Sequence, residues 1–114
     1  MKELRNSLRA FAKERDWDQF HSPKNLAMAL SVEVAEIVEH FQWLTEEQSK
    51  NLPSDKLGKV KTELADTLIY LIRLADKLEI DLHAAAQSKI EVNEQKYPVD
   101  KAKGNAKKYT ELDK

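Results

Sequence analysis

The chain contains no cysteine, and only two glycines and three prolines in 114 residues. Without thiols there is no disulfide, no thiolate nucleophile and no zinc–thiolate site. So few chain breakers leave room for long helices and few turns. Neither charge dominates: nineteen Lys plus Arg face twenty Asp plus Glu, for a net charge of -1. Proteins that bind nucleic acid polymers need a basic surface, which this balance does not supply. Nor does any apolar run approach the roughly 20 residues of a membrane span. The opening residues, MKELRNSLRAFAKERDW, mix charged with apolar positions and lack a signal-peptide core. The expectation is a soluble cytoplasmic protein with no membrane partner and one domain's worth of chain.

Helical periodicity is abundant. Leu4, Leu8, Phe11 and Ala12 recur at spacings of three to four, which predicts a first helix from Lys2 to Arg15. The segment Asp16 to His21 has no such period and carries two aromatics. Ser22-Pro23 reads as an N-cap with proline at the first helical position, opening a second helix that runs to Phe41. Thr45-Glu46-Glu47-Gln48 matches a capping box for one short helix, and Asn51 to Ser54 is a loop. A third long helix runs from Asp55 or Lys56 to Glu79. Asp81 caps a fourth that ends near Tyr97, because Pro98 disfavours helix in the residue before it. No segment alternates as a strand. The predicted class is all-α, a four-helix bundle over residues 1–97, with residues 98–114 as a Lys-rich extended tail of the same domain. The run Leu64 to Ile72 is apolar on more than one side, so one face is expected to pack internally and another against a second subunit.

Two carboxylate pairs stand out within these helices. Glu33 and Glu36 lie three apart on the second, and Glu63 and Asp66 three apart on the third. Such pairs usually face water. On a wheel at about 100° per residue, however, Leu26, Leu30 and Ile37 fall within about 60° of Glu33 on one side, with Ala29 and Glu36 on the other. Glu63 is flanked in the same way by Thr67, Leu74 and Val60, and by Tyr70 and Asp66. Four carboxylates turned toward other protein repel one another and need either protons or a cation. Oxygen ligands suit Mg²⁺ or Mn²⁺, and the Glu-x-x-His spacing of di-iron bundles is absent. The other reading is that the pairs bridge to lysines such as Lys59 and Lys61. A Mg²⁺ site without a full protein cage is commonly completed by substrate phosphates. Trp17, Phe20 and Trp43 are then candidates to stack on a base or to plug the core. Lys24, Lys89 and the tail lysines either meet phosphates or keep the surface soluble. His21 is a base contact, a capping residue or an exposed loop residue; spacing does not decide.

The segment Arg15-Asp16-Trp17-Asp18-Gln19-Phe20-His21-Ser22-Pro23-Lys24-Asn25-Leu26 resembles the opening of the all-α nucleoside triphosphate pyrophosphohydrolases, and within the MazG-like superfamily is most similar to the dCTP pyrophosphatase branch. The resemblance continues through Glu33-Val34-Ala35-Glu36, Phe41-Gln42-Trp43 and Glu63 to Leu71. It extends to Ser88-Lys89-Ile90 with Asn93, Lys96-Tyr97-Pro98, and Lys107 to Leu112. It implies hydrolysis of a nucleoside triphosphate to monophosphate and pyrophosphate, with Glu33, Glu36, Glu63 and Asp66 as Mg²⁺ ligands and catalytic carboxylates. It further implies that Trp17, Asp18, Gln19, Phe20, His21 and Trp43 line the base and sugar pocket. Asp66, Tyr70, Lys89 and Asn93 match positions near the sugar and phosphates. The family's dimers or tetramers place sites near subunit contacts. Two departures bear on base preference: animal members of the branch carry a histidine where this chain has Leu8, and the linker between the carboxylate helices is shorter here.

The expected function is Mg²⁺-dependent dNTP pyrophosphohydrolysis favouring dCTP and modified dCTP, as nucleotide-pool sanitation. Two alternatives stand beside it. One is the same chemistry on dUTP or a damaged nucleotide, since bases are told apart by a few hydrogen bonds. The other is a non-catalytic helical oligomerisation module, against which the presence of all four carboxylates argues.

Overall fold

Ser22 and Pro23 start the helix that carries half of the carboxylates. The Ser22 hydroxyl accepts from the Asn25 N–H at 3.1 Å and Pro23 occupies the first helical position. The computed structural model describes residues 1–111, and among these there are helices and connecting segments but no strand. The α-helices are α1 (Lys2–Glu14), α2 (Pro23–Phe41), α3 (Glu46–Lys50), α4 (Ser54–Lys77), α5 (Leu82–Lys96) and α6 (Val99–Ala102). Single 3₁₀ turns form at Asp18–Phe20 and Tyr109–Glu111. Leu112, where the family resemblance closes, lies outside the described residues, as do the last two residues of the tail.

The chain divides into two compact units, Met1–Ile80 and Asp81–Lys114. In the first, α2 packs along α4, and α1 also contacts α4. Of the positions that the wheel places beside the carboxylates, Leu26 and Val60 are removed from water, while Leu30, Ile37, Thr67 and Leu74 are half-buried. Leu26 on α2 is 1 % exposed, and Val60, Ile72 and Ala75 on α4 and Ala12 on α1 are buried with it. A bidentate ion pair fastens α1 to α4: the Arg9 guanidinium donates to both carboxylate oxygens of Asp76, with Nε at 2.7 Å from Oδ2. The short helix α3 is the expected one. Its capping box is complete, with Gln48 N–H donating to Thr45 Oγ1 at 3.1 Å and Thr45 N–H to Gln48 Oε1 at 3.0 Å.

Two helix ends were not legible. Both α1 and α4 close with a residue in the left-handed region, Asp16 and Glu79, each with φ near 56°. The following N–H groups reach back five residues, Trp17 to Ala12 and Ile80 to Ala75, both at 2.9 Å. This is the Schellman closure, for which glycine or asparagine is the usual signal. Glu79 holds that conformation against its own Cβ. Glu79→Gly is therefore expected to stabilise the protein by up to about 1 kcal/mol, the relief of strain outweighing the added chain entropy. A thermal melt checks this, and an unchanged or lower melting temperature refutes it.

In the second unit, the Asp81 side chain accepts from Ala84 N–H at 3.0 Å and caps α5. The segment after Pro98 is not simply extended as the sequence reading expected. Pro98 ends the preceding helix, yet its carbonyl accepts from Ala102 N–H at 2.9 Å and starts the single turn of α6. Proline forbids helix before itself while remaining a good helix opener, which explains both halves of this behaviour.

Candidate active site

The packing of α2 on α4 brings the two predicted carboxylate pairs face to face. Glu33 and Glu36 on α2 and Glu63 on α4 are half-buried, and one oxygen from each lies within 4.8 Å of the others. Asp66 is not in that tight set. It follows Glu63 by nearly one turn, is half-buried, and its charge acts on both Glu33 and Glu63. The lysine-bridge reading fails here: Lys59 and Lys61 are exposed, and no ion pair joins them to the cluster among the described residues.

The electrostatics follow from that proximity. Glu33 Oε2 and Glu63 Oε2 are fully buried and have no hydrogen-bond partner. Buried polar atoms are normally satisfied, so a pair of orphaned carboxylate oxygens at one place asks for a partner. Contact with the Glu36 carboxyl, then burial, then the charges of Glu36, Glu33 and Asp66 push the Glu63 carboxyl up to about 7. Burial, followed by the contact with and charge of Glu36, raises Glu33. Glu33 and Glu63 thus resist ionising in these surroundings. A hard divalent cation would supply the missing counter-charge, and an all-oxygen donor set fits Mg²⁺ or Mn²⁺ better than softer metals. Glu33, Glu36 and Glu63, with Asp66 beside them, are the residues that would hold it.

A second constellation lies further along α4. Glu63, Asp66, Tyr70, Arg73 and Lys77 follow one another at spacings of three and four, which places them on one stripe of the helix. Arg73 is charged yet only 4 % exposed. Its Nη2 donates to Asp18 Oδ1 at 2.7 Å, and Lys77 Nζ donates to the same oxygen at 3.0 Å. These bonds hold the Asp18 carboxylate below its ordinary range, Lys77 contributing more than Arg73. The same Nη2 lies 3.2 Å from His21 Nδ1. The 3₁₀ turn that carries the expected pocket residues is thereby pinned to α4.

The remaining candidates are placed as follows. Gln19 donates to Asp16 through both its backbone carbonyl and its carboxylate, each at 3.0 Å, and Asn25 donates to the Phe20 carbonyl at 3.0 Å. These bonds shape the turn and leave the Phe20 ring 61 % exposed. Trp17 meets Phe11 edge-on at 5.6 Å and His21 edge-on at 6.2 Å, so it belongs partly to an aromatic cluster and partly to the surface. Trp43 follows α2 closely and is 86 % exposed, an indole with no packing role in this unit. Tyr70 is half-buried on the α4 stripe. Lys89 and Asn93 lie one turn apart on α5, both exposed, in the second unit. Leu8, the departure from the animal pattern, is half-buried on α1. Sequence reasoning missed Arg73 and Lys77. Their signal was the continuation of the three–four spacing beyond Asp66.

Comparison with known proteins gives a consistent result. The model of the MazG-like family matches residues 28–112. The dCTP pyrophosphatase 1 of Mus musculus is 44% identical over 114 residues, which span 98% of this chain and 67% of that protein. The human dCTP pyrophosphatase 1 is 40% identical over the same shares of the two chains. Among solved structures, a pyrophosphatase from Archaeoglobus fulgidus superposes with a TM-score of 0.81 at 44% identity, covering 86% of this chain and 92% of that one.

Proposed function

This chain belongs to the MazG-like family and is a nucleotide pyrophosphohydrolase, and on that premise we propose that it hydrolyses a deoxynucleoside triphosphate, favouring dCTP and base-modified dCTP, to the monophosphate and pyrophosphate with Mg²⁺ or Mn²⁺. The observation that carries this reading is the triad Glu33, Glu36 and Glu63, with two buried oxygens lacking partners. When bound, the metal neutralises the triphosphate and lowers the barrier for water at the α-phosphorus. The chain's own part is acid–base and positional. A carboxylate of the cluster not fully engaged with metal takes the proton of the attacking water. The new bond forms at the α-phosphorus, the bond from it to the α–β bridging oxygen breaks, and pyrophosphate leaves with that oxygen. Trp17, Phe20 and Trp43 offer exposed rings for the base, with Asp18, Gln19 and His21 shaping the same pocket. Tyr70, Lys89 and Asn93 are assigned to the sugar and phosphates.

We place the activity in nucleotide-pool sanitation in the cytoplasm. We assign the chain the four-helix bundle of its family, assembled as a homo-dimer or homo-tetramer. Support for assembly comes from apolar residues that the single chain leaves in water. Leu57 and Leu64 on α4 are 56 % and 54 % exposed, and Val34, Val38 and Met28 on α2 are exposed with them. Helices apolar on several sides require more cover than one neighbour gives.

The test is chromatography of the products from a panel of dNTPs and NTPs incubated with protein and Mg²⁺, beside an EDTA control. The expected result is monophosphate plus pyrophosphate, from dCTP above the others and only with metal. A preference for dUTP or for a damaged base would keep the chemistry and reassign the base. Diphosphate plus phosphate would overturn the reaction. No product from any nucleotide would move the chain to the non-catalytic module.

A further inference from the structure

Arg73 does more than neutralise Asp18. Its Nη2 carries two N–H bonds, one satisfied by Asp18 Oδ1 at 2.7 Å and the other aimed at His21 Nδ1 at 3.2 Å. A guanidinium has five donors, no acceptor, and does not lose its proton in proteins. The His21 nitrogen facing it must therefore accept. In an uncharged imidazole one nitrogen accepts and the other donates, so the ring proton lies on Nε2. Other groups around the ring agree. Burial, the Arg73 charge and the Lys77 charge all favour the uncharged ring, with Asp18 alone opposing them. Trp17 lies edge-on at 6.2 Å, and Trp17 in turn abuts Phe11 at 5.6 Å, which limits rotation of the imidazole. Arg73 itself is held in place by being only 4 % exposed, with Asp18 on one side and Asp76 3.8 Å away on the other.

We propose that Arg73 is a positioning residue that holds His21 as the Nε2–H tautomer, so that His21 offers the nucleotide one fixed hydrogen-bond donor. The inference rests on the reading of Trp17 to His21 as the nucleoside pocket. A fixed donor selects an acceptor oxygen on the base or sugar and penalises a nucleotide presenting an N–H at that point, because two facing donors are left unpaired. Arginine and lysine differ here. Only the planar fork reaches Asp18 and His21 from one nitrogen while its other arm lies toward Asp76.

The tautomer is read directly by long-range ¹H–¹⁵N correlation of the imidazole rings, with His21 separated from His40 and His83 by its loss in His21→Gln. In the wild-type protein near neutral pH, His21 Nδ1 is expected to give the resonance of a bare acceptor nitrogen and Nε2 that of a protonated one. In Arg73→Met, which keeps length and burial but removes the donor, the ring is expected to become a mixture of tautomers. The KM for dCTP then rises on the order of tenfold with kcat within about twofold, the pattern of lost uniform binding. A wild-type His21 protonated on Nδ1, or on both nitrogens, overturns the proposal even if the variant does not fold. An unchanged tautomer in a folded Arg73→Met overturns it, and so does a changed tautomer with an unchanged KM. Absence of hydrolysis in the wild type would instead remove the pocket reading, and the ring spectrum keeps the two failures apart.

Discussion

Glu63→Gln is expected to lower turnover by about 10²–10⁴-fold, the range seen when a catalytic proton acceptor is lost, while the folded structure survives. The substitution is nearly isosteric, and the bond that Thr67 Oγ1 donates to the Glu63 backbone carbonyl at 2.8 Å is untouched by it. It removes the charge that would hold metal and the basicity that would take a proton, whichever of these roles Glu63 performs. The same change relieves the metal-free protein. Glu63 faces Glu36 and Glu33 with Asp66 nearby, and its carboxyl is pushed up from the ordinary value to about 7. A group whose folded-state value is raised adds stability that is fully present below its unfolded value and is lost as pH rises through the folded one. The wild-type metal-free protein should therefore lose stability between about pH 4.5 and 7 from this group. The variant, neutral throughout, should lack that loss and melt higher above pH 7. Steady-state turnover in Mg²⁺ and melting curves across pH check both halves. Wild-type activity in the variant would remove Glu63 from the site, and an unaltered pH profile of melting would show that the cluster does not repel.

How much of this was legible follows from what periodicity can and cannot carry. The start of α2 was readable to the residue, because Ser22 and Pro23 are chemically specific openers, and its end near Phe41 was readable from where the apolar spacing stops. The inward turn of Glu33 was readable because Leu26, Leu30 and Ile37 fix the buried face of the helix, and Leu26 is indeed 1 % exposed. Face and register are local properties, and hydrophobic spacing encodes them. Which faces meet is not local. The Arg73–Asp18 bond joins residues 55 apart in sequence, and nothing in either neighbourhood names the other. Arg73 looks from its surroundings like a solvated charge on an apolar helix, and only its place on the stripe that begins at Glu63 distinguishes it. The left-handed closures at Asp16 and Glu79 were hidden for the opposite reason: the residues present are not the ones such closures favour, so tertiary packing overrides local preference there. The capping box at Thr45 and the cap at Asp81, where the side chain itself makes the bond, were both readable.

Mg²⁺ binding is expected to strengthen steeply with pH below about 7, and to release protons as it occurs. The orphaned oxygens of Glu33 and Glu63 belong to carboxyls that are both raised, Glu33 chiefly by burial and by Glu36, and Glu63 to about 7 chiefly by contact with Glu36 and by burial. A carboxyl must give up its proton to serve as a ligand, so metal and proton compete for the cluster. Where Glu63 is still protonated, each unit of pH should tighten binding by up to about tenfold, and the slope should flatten once that group is ionised. Calorimetric titration with MgCl₂ in two buffers of different ionisation enthalpy reads both the affinity and the protons released. The melting temperature supplies an independent reading, since a ligand present at about 100 times its Kd and bound only by the folded state adds about 2.7 kcal/mol. That increment should be small at acid pH, large at alkaline pH, and erased at every pH by EDTA. In Glu63→Gln the pH dependence of binding should shrink together with the affinity, because the position no longer holds a proton to displace. An affinity for Mg²⁺ that is strong and indifferent to pH would mean that the ion sits elsewhere, since carboxyls raised by mutual repulsion cannot bind a cation without first yielding their protons.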